Sequence, residues 1–496
     1  MQLDLQTIAR AVGRPCAEDA SGVLITMAVS DSREVLPGAL FACVRGERVD
    51  GHDYAVRACE AGARAVLAER EPEGLAERFP EVPVLIVDDT IRALGQIARA
   101  WRDRYTGTVI GLTGTAGKTT TKEWLSAVLG MSGEVARTEG NHNNQLGLPL
   151  SMLAATGRER FWVFECGVSH PGDMEELGDI LHPDLGIVLN VGEGHTEGLG
   201  EKGVAWHKTR LFTRLADGGL AAASADYPDL AARALEACPD TFFFSCGAPA
   251  ADLPAGQPAC RVAPAPEAGE NAFAVSFSLP DRHDSLTVSL PMGGPAAAEN
   301  LACIALVCAL LHTDTGHIGE GLRRAVVPGH RYRRVEIGGS LVIDDCYNAN
   351  PLSMSRMLEA AAGEAGRRGS AFACVLGEMG ELGQVSEEAH RRLGEQLRAL
   401  APVFCAWKGG HAEDVAAGLG EETPFFTFAD DAELEGVVSA LAPAIGEDLT
   451  VLVKGSRSNR LETAVAALGN VLKQACAGSA EDGGASAAKP RSGEGR

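Results

Sequence analysis

The run Thr108-Val109-Ile110-Gly111-Leu112 passes into Thr113-Gly114-Thr115-Ala116-Gly117-Lys118-Thr119-Thr120-Thr121 and then into a helical stretch ended by Gly130. A buried strand, a glycine loop and a helix in this order are the most constraining feature of the chain. Backbone N–H groups in such a loop can surround phosphate oxygens, and the helix start adds partial positive charge. Gly114, Thr115, Ala116, Gly117, Lys118, Thr119 and Thr120 are therefore the expected nucleotide-binding residues. Lys118 would supply a point charge, and the Thr119 hydroxyl would ligate Mg²⁺. The usual spacing places a glycine six residues before the lysine, where this chain has Leu112, so the loop is a variant. The alternative is a tight strand–helix turn without a ligand.

The remaining organisation follows from rhythm. The 496 residues fit three domains on length alone. Residues 1–104 mix short strands (40–44, 84–87) with a helix over 53–61, and imply a small mixed α/β domain. Residues 105–328 carry apolar runs at 161–164, 185–191, 219–223 and 241–245, typical of strands buried on both faces. Alternation over 273–278 and 285–290 predicts an antiparallel addition, and 300–311 a strongly apolar helix. This is a central P-loop-type domain with a mostly parallel sheet. Residues 329–475 repeat strand-like runs at 341–344, 371–376, 402–406, 424–428 and 449–453. They predict a C-terminal Rossmann-like, doubly wound domain. Gly, Ala, Ser and charge dominate residues 476–496, which predicts a disordered tail.

Composition excludes several classes. The net charge of −23 argues against a nucleic-acid partner, because phosphate contacts need clustered Lys and Arg. No apolar run approaches the ~18 residues of a membrane span, and no basic-then-apolar leader opens the chain, so a cytoplasmic protein is expected. Thirteen cysteines without CxxC pairs read as reduced core thiols. Only eight lysines stand against 36 arginines, so a lysine can mark a site that needs a deprotonatable amine.

The loop alone does not separate an ATPase, a kinase and a ligase. Glu165 ends the run 161–164, where a carboxylate could reach the Thr119 metal. His195 lies in a glycine-rich segment after another apolar strand, at the kind of strand end where open α/β sheets place ligands.

Taken together, the segments resemble the Mur ligases of peptidoglycan synthesis. The similar stretches are TGTAGKTTTKEW (113–124), GNHNNQLGLPLSML (140–153), FECG (164–167) and GEGHTEGLG (192–200). To these are added DSREVLPGALFACVRGERVDGHDYAVRACEAGARAVL (31–67), DDCYNANPLSM (344–354), LGEMGELG (376–383) and VLVKGSRSNRLE (451–462). The ordered set covers most of residues 1–475, and two C-terminal segments are similar to the member that adds D-alanyl-D-alanine.

The resemblance implies ATP-dependent amide formation through an acyl phosphate, joining D-alanyl-D-alanine to UDP-N-acetylmuramoyl-tripeptide. It implies ATP, two Mg²⁺ ions and a monomer. Metal ligands would be Thr119 and Glu165 for one ion, and His195 with a carbamylated Lys208 for the other. Lys118, His195 and Lys208 would be catalytic. Asn300, Arg331 and Asp345 would contact the nucleotide. Ser32, Arg33, Asp50 and His52 would meet the uridine diphosphate end of the substrate, where a diphosphate needs a local cation. Asn143, Asn144, Lys454, Ser456 and Arg457 complete the implied substrate contacts. The alternatives are another Mur-type or a folylpolyglutamate-type ligase with a different acceptor, or a P-loop ATPase or kinase. The chain also departs from the family pattern. Ala116 replaces a usual Asn, Ala296-Ala297 a usual His-Asn pair and Cys346 a usual Ser, and His330 interrupts the usual Pro-Gly-Arg.

Overall fold

The computed structural model describes the chain except residues 16–21, 193–198, 248–252, 254–257, 327–328, 446–447 and 483–496. It divides into two compact units, one built mainly on residues up to 326 and the other on residues from 329.

The first unit opens with a two-residue hairpin, β1 (Leu3–Asp4) with β2 (Leu24–Ile25). Four parallel strands follow in sequential order: β3 (Met27–Val29), β4 (Ala39–Ala42), β5 (Ala65–Ala68) and β6 (Val84–Ile86). Side chains alternate between faces, as strand geometry requires. Leu40 and Ala42 enter one core layer, and Ala39, Phe41 and Cys43 the other. The helix Thr90–Arg102, capped by the Asp89 carboxylate, leads to the next sheet. Its Arg102 donates to both carboxylate oxygens of Asp184 at 3.0 Å, and Asp184 also accepts the Val109 N–H. The two sheets are thus bolted into one unit near residue 104.

The second sheet has nine strands: β7 (Thr108–Thr113), β8 (Val135–Arg137), β9 (Phe161–Glu165), β10 (Leu185–Val188), β11 (Leu220–Ser224), β12 (Phe242–Ser245), β13 (Cys260–Pro264), β14 (Ala272–Phe277) and β15 (Ser285–Ser289). Their order is β15-β14-β13-β12-β11-β10-β7-β9-β8. The strands from β8 to β13 pair in parallel, and β14 and β15 add antiparallel at one edge, as the alternating pattern predicts. β7 lies inside the sheet, flanked by β9 and β10. The apolar helix begins at Pro295, five residues before the expected start.

The other unit holds a six-stranded sheet of β16 (Arg333–Ile337), β17 (Ser340–Asp344), β18 (Ala371–Gly377), β19 (Cys405–Lys408), β20 (Phe425–Thr427) and β21 (Leu449–Lys454), ordered β16-β17-β21-β18-β19-β20. Only β16 is antiparallel. Leu341, Ile343, Cys374, Leu376 and Leu452 pack on one face, and Val342, Ala373, Val375, Val451 and Val453 on the other. Both faces are covered, as a doubly wound sheet demands.

Two expectations need correction. The strand expected at 402–406 starts only at Cys405, because Ala401 takes a left-handed φ of 47° to close the preceding helix and the chain needs the next residues to turn. The disordered tail expected from 476 does not begin there. The Glu462–Asp482 helix runs through residues 476–482, whose alanines are strong helix formers.

Candidate active site

The glycine loop sits at the C-terminal end of an interior strand. β7 pairs in register with β9, placing Glu165 opposite Leu112, and with β10, placing Val188 opposite Thr113. Three strand ends therefore surround the loop. Gly117 turns the chain into the helix Lys118–Leu129 with φ of +78°, where an added Cβ would sit 3.0 Å from Asn300 Oδ1. Glycine is required there for both reasons.

Asn190, just beyond β10, fixes the loop. Its Oδ1 accepts the N–H groups of Thr115 at 3.0 Å and Ala116 at 2.9 Å. Its Nδ2 donates to Ala116 O at 3.1 Å and to Glu299 Oε2 at 2.6 Å. Glu299 is wholly buried and also accepts the Tyr227 hydroxyl. The amides of Thr115 and Ala116, expected at the nucleotide, point at Asn190. Backbone N–H groups suited to an anion lie at the helix start, residues 117–120. Thr119 there is buried and Thr120 half-buried.

Two lysines converge on one carbonyl. Lys118 Nζ donates to Gly114 O at 2.8 Å, and Lys208 Nζ donates to the same oxygen at 3.1 Å. Lys208 lies on the short helix Gly203–Thr209 and is buried. Burial, and then the neighbouring Lys118 charge, push its ammonium well below the usual lysine range. Both effects favour the neutral, nucleophilic amine over the ammonium.

Glu165 is also buried, and its Oε1 has no hydrogen-bond partner among the described residues. The nearest cation is Lys122 Nζ, 3.5 Å from Oε1. Lys122 is fully buried between Glu165, Glu123 Oε1 at 3.0 Å and Thr138 O at 2.5 Å. His195 lies outside the described residues. Asn143 meets the end of the same strand, where its carbonyl accepts the Gly167 N–H at 2.7 Å, and Asn144 caps the next helix through Gly147 N. Asn300, expected at adenine, is buried against the loop and accepts the Thr121 hydroxyl at 3.0 Å.

The other expected residues belong to other elements. On the N-terminal sheet, His52 is buried, with Nδ1 2.5 Å from Asp50 and Nε2 accepting the Glu69 N–H. Arg70 and Arg45 also approach Asp50. Arg33 is exposed and forks onto Asp31, which it holds down near 2, while Ser32 is buried. In the second unit, Lys454 at the end of β21 is committed to Asp345, at 2.5 Å, and to Asn348 O. Arg331 stacks over Tyr347 at 3.6 Å. Ser456 bonds Ser458 and Asn459, and Arg457 is exposed, 3.4 Å from Glu462.

Sequence reasoning missed Asn190, Lys122 and Glu299 as site residues. One signal was available for Glu299: a carboxylate at the head of an otherwise apolar helix must find buried donors.

Three family descriptions match in order: "Mur ligase family, catalytic domain" over residues 24–102, "Mur ligase middle domain" over 112–309, and "Mur ligase, glutamate ligase domain" over 330–457. Among curated relatives, the UDP-N-acetylmuramoyl-tripeptide--D-alanyl-D-alanine ligase of Escherichia coli (strain K12) is 32% identical over 453 residues, covering 90% of this chain and 94% of that protein. The protein of the same name from Synechocystis is 34% identical over 88% of this chain and 91% of its own length. Among solved structures, MurF from Acinetobacter baumannii superposes with a TM-score of 0.81 at 26% identity, covering 95% and 99% of the two chains. MurF from Thermotoga maritima in complex with ADP gives 0.76 at 28% identity, covering 90% and 98%.

Proposed function

This chain belongs to the Mur ligase family, and on that premise we propose that it joins D-alanyl-D-alanine to UDP-N-acetylmuramoyl-tripeptide, with cleavage of ATP to ADP and phosphate. It is an ATP-dependent peptide ligase of peptidoglycan precursor synthesis. A tripeptide carboxylate oxygen takes the γ-phosphoryl group and ADP leaves. The dipeptide amine then attacks the acyl carbon, and phosphate and a proton depart. Carboxylate and triphosphate are both anionic, so the barrier is largely electrostatic.

The observation that carries the reading is the pair of lysines on Gly114 O. Lys118, charged at the loop, is suited to the β- and γ-phosphates. Lys208, whose ammonium burial disfavours, is suited to react with CO₂: the nitrogen of the neutral amine adds to the carbon, one proton leaves, and an anionic carbamate results. Such a carbamate would pair with Lys118 and would need a second cation.

The residues fit magnesium. Glu165 Oε1 is a buried carboxylate oxygen without a hydrogen-bond donor among the described residues, and Thr119 presents a hydroxyl at the helix start. These two would hold one ion, and the Lys208 carbamate with His195 the other. Bound Mg²⁺ would neutralise phosphate charge. Arg33, His52 and Asp50 are assigned to the uridine diphosphate end, and Arg331, Asp345 and Asn300 to the nucleotide. Lys454, Ser456 and Arg457, with Asn143 and Asn144, are assigned to the peptide substrates. Among the described residues no helix is long and apolar enough to cross a membrane. A cytoplasmic monomer fits substrates carried on nucleotides.

Mass spectrometry of the product from UDP-N-acetylmuramoyl-tripeptide, ATP and D-alanyl-D-alanine tests the assignment. The expected product is heavier by the dipeptide less water, and ADP appears only with all three substrates. ADP release without the dipeptide would favour an ATPase or kinase. Lys208→Ala should lose activity and regain part of it with added short-chain carboxylates, and ¹³C-labelled CO₂ should give a carbamate carbon resonance that this variant lacks.

A further inference from the structure

In the second unit, three metal-ligating side chains meet outside every role assigned above. His330 Nδ1 lies 2.7 Å from Asp344 Oδ2, and Cys346 Sγ lies 3.0 Å from Asp344 Oδ1. One ligand atom from each falls within 4.8 Å of the others. Asp344 is fully buried at the end of β17, Cys346 is 1% exposed, and the His330 side chain is 31% exposed. Two segments supply the set, and a backbone bond joins them: Tyr347 N–H donates to His330 O at 3.1 Å.

Charge explains why this cluster stands out. A buried carboxylate needs a cation. Lys454, the nearby lysine, is spent on Asp345. Among the described residues the only ion-pair partner of Asp344 is His330. Glu462 Oε2 is also buried without a hydrogen-bond partner among the described residues. His330 and Cys346 are the two residues that turn a lone aspartate into a ligand set.

We infer that His330, Asp344 and Cys346 form a site for a borderline-soft divalent cation of the Zn²⁺ class, with solvent as fourth ligand on the exposed imidazole side. Nitrogen, oxygen and sulfur donors suit Zn²⁺ or Co²⁺ and disfavour Mg²⁺. Bonds of about 2.0 Å to N and O and about 2.3 Å to S set ligand–ligand edges of roughly 3.3–3.6 Å. The two Asp344 pairs, one on each carboxylate oxygen, are within about 1 Å of these edges, and the third edge is bounded by the 4.8 Å of the whole set. On binding, the Cys346 S–H gives its proton to solvent and sulfur bonds the metal. His330 ligates through an Nδ1 that carries no proton. The site lies next in sequence to Arg331 and Asp345, so an occupied site would pin both.

Cobalt titration of the EDTA-treated full chain tests this. Co²⁺ should bind at one equivalent with tetrahedral d–d absorption and a thiolate-to-cobalt charge-transfer band, and Zn²⁺ should displace it. Cys346→Ser should abolish the charge-transfer band. His330→Gln should keep the band at saturation and weaken binding at least tenfold. A parent chain without the band, or a band that survives in Cys346→Ser, overturns the inference. If Cys346→Ser fails to fold by circular dichroism, His330→Gln decides: unchanged cobalt affinity overturns the site.

Discussion

Asn190→Ala separates a loop held by its neighbours from one held by its own backbone. The Asn190 amide is fully buried and bonds Thr115 N, Ala116 N, Ala116 O and Glu299 Oε2. In the alanine variant Thr115 N–H keeps the residue's own carbonyl, 3.1 Å away. The Ala116 N–H and the Ala116 carbonyl lose their bonds to the amide. A buried polar group left unsatisfied costs about 1–3 kcal/mol, so the loss is about 2–6 kcal/mol. Urea unfolding followed by circular dichroism should show it, and calorimetry should show weaker ADP binding. Asn190→Asp sharpens the argument: it keeps the acceptor but sets a carboxylate oxygen against Glu299 where Nδ2 stood at 2.6 Å. The pair must then share a proton, so the folded state binds more protons than the unfolded one and stability falls as pH rises. Stability of Asn190→Ala within about 0.5 kcal/mol of the parent would refute the reasoning, since that is the range of surface substitutions.

Lys118→Ala should lose about 3–4 kcal/mol of transition-state stabilisation, or roughly 10²–10³ in kcat/KM, measured by phosphate release; a loss below tenfold would remove it from the phosphates. Lys208→Met in CO₂-free buffer should raise unfolding stability while abolishing ligation. The native amine is held below its unfolded value of 10.5, so the unfolded chain binds the extra proton and parent stability climbs with pH in between. The variant's advantage should therefore shrink toward zero as pH approaches that value, and a pH-independent difference in chemical-denaturation curves contradicts the assignment. Arg33→Ala should leave Tm unchanged, because its side chain is 76% exposed and its bond to Asp31 is a surface pair worth about 0–1 kcal/mol. It should raise KM for the uridine diphosphate substrate, and a lower Tm with an unchanged KM would contradict that role.

The parts of the site legible in the sequence are those whose chemistry is local. A phosphate loop needs glycines at fixed places in the backbone, so residues 113–121 announce it. Strands buried on both faces appear as apolar runs, and both large sheets follow from them. Lys208 stood out because lysine is scarce in this chain. Asn190 and Glu299 did not, because their roles arise only when β10 and the Pro295–Leu310 helix are folded against the loop, 74 and 109 residues apart in the bonds they make. Lys122 was visible as one of eight lysines, but its burial between two carboxylates is a tertiary fact. The 402–406 strand was misplaced because hydrophobicity does not show where a helix spends residues to turn.

The pairing of Leu112 with Glu165 and of Thr113 with Val188 works as a ruler. Side chains on a strand alternate in direction, so deleting any one residue of 161–164 would turn the Glu165 carboxylate away from the face it now occupies and bring its neighbour round instead. Substitutions there can be absorbed by repacking, whereas a change of count cannot. Lineages that share only one residue in three can therefore drift widely in loops and helix surfaces and keep a single chemistry, provided that the spacing along these few strands is never altered.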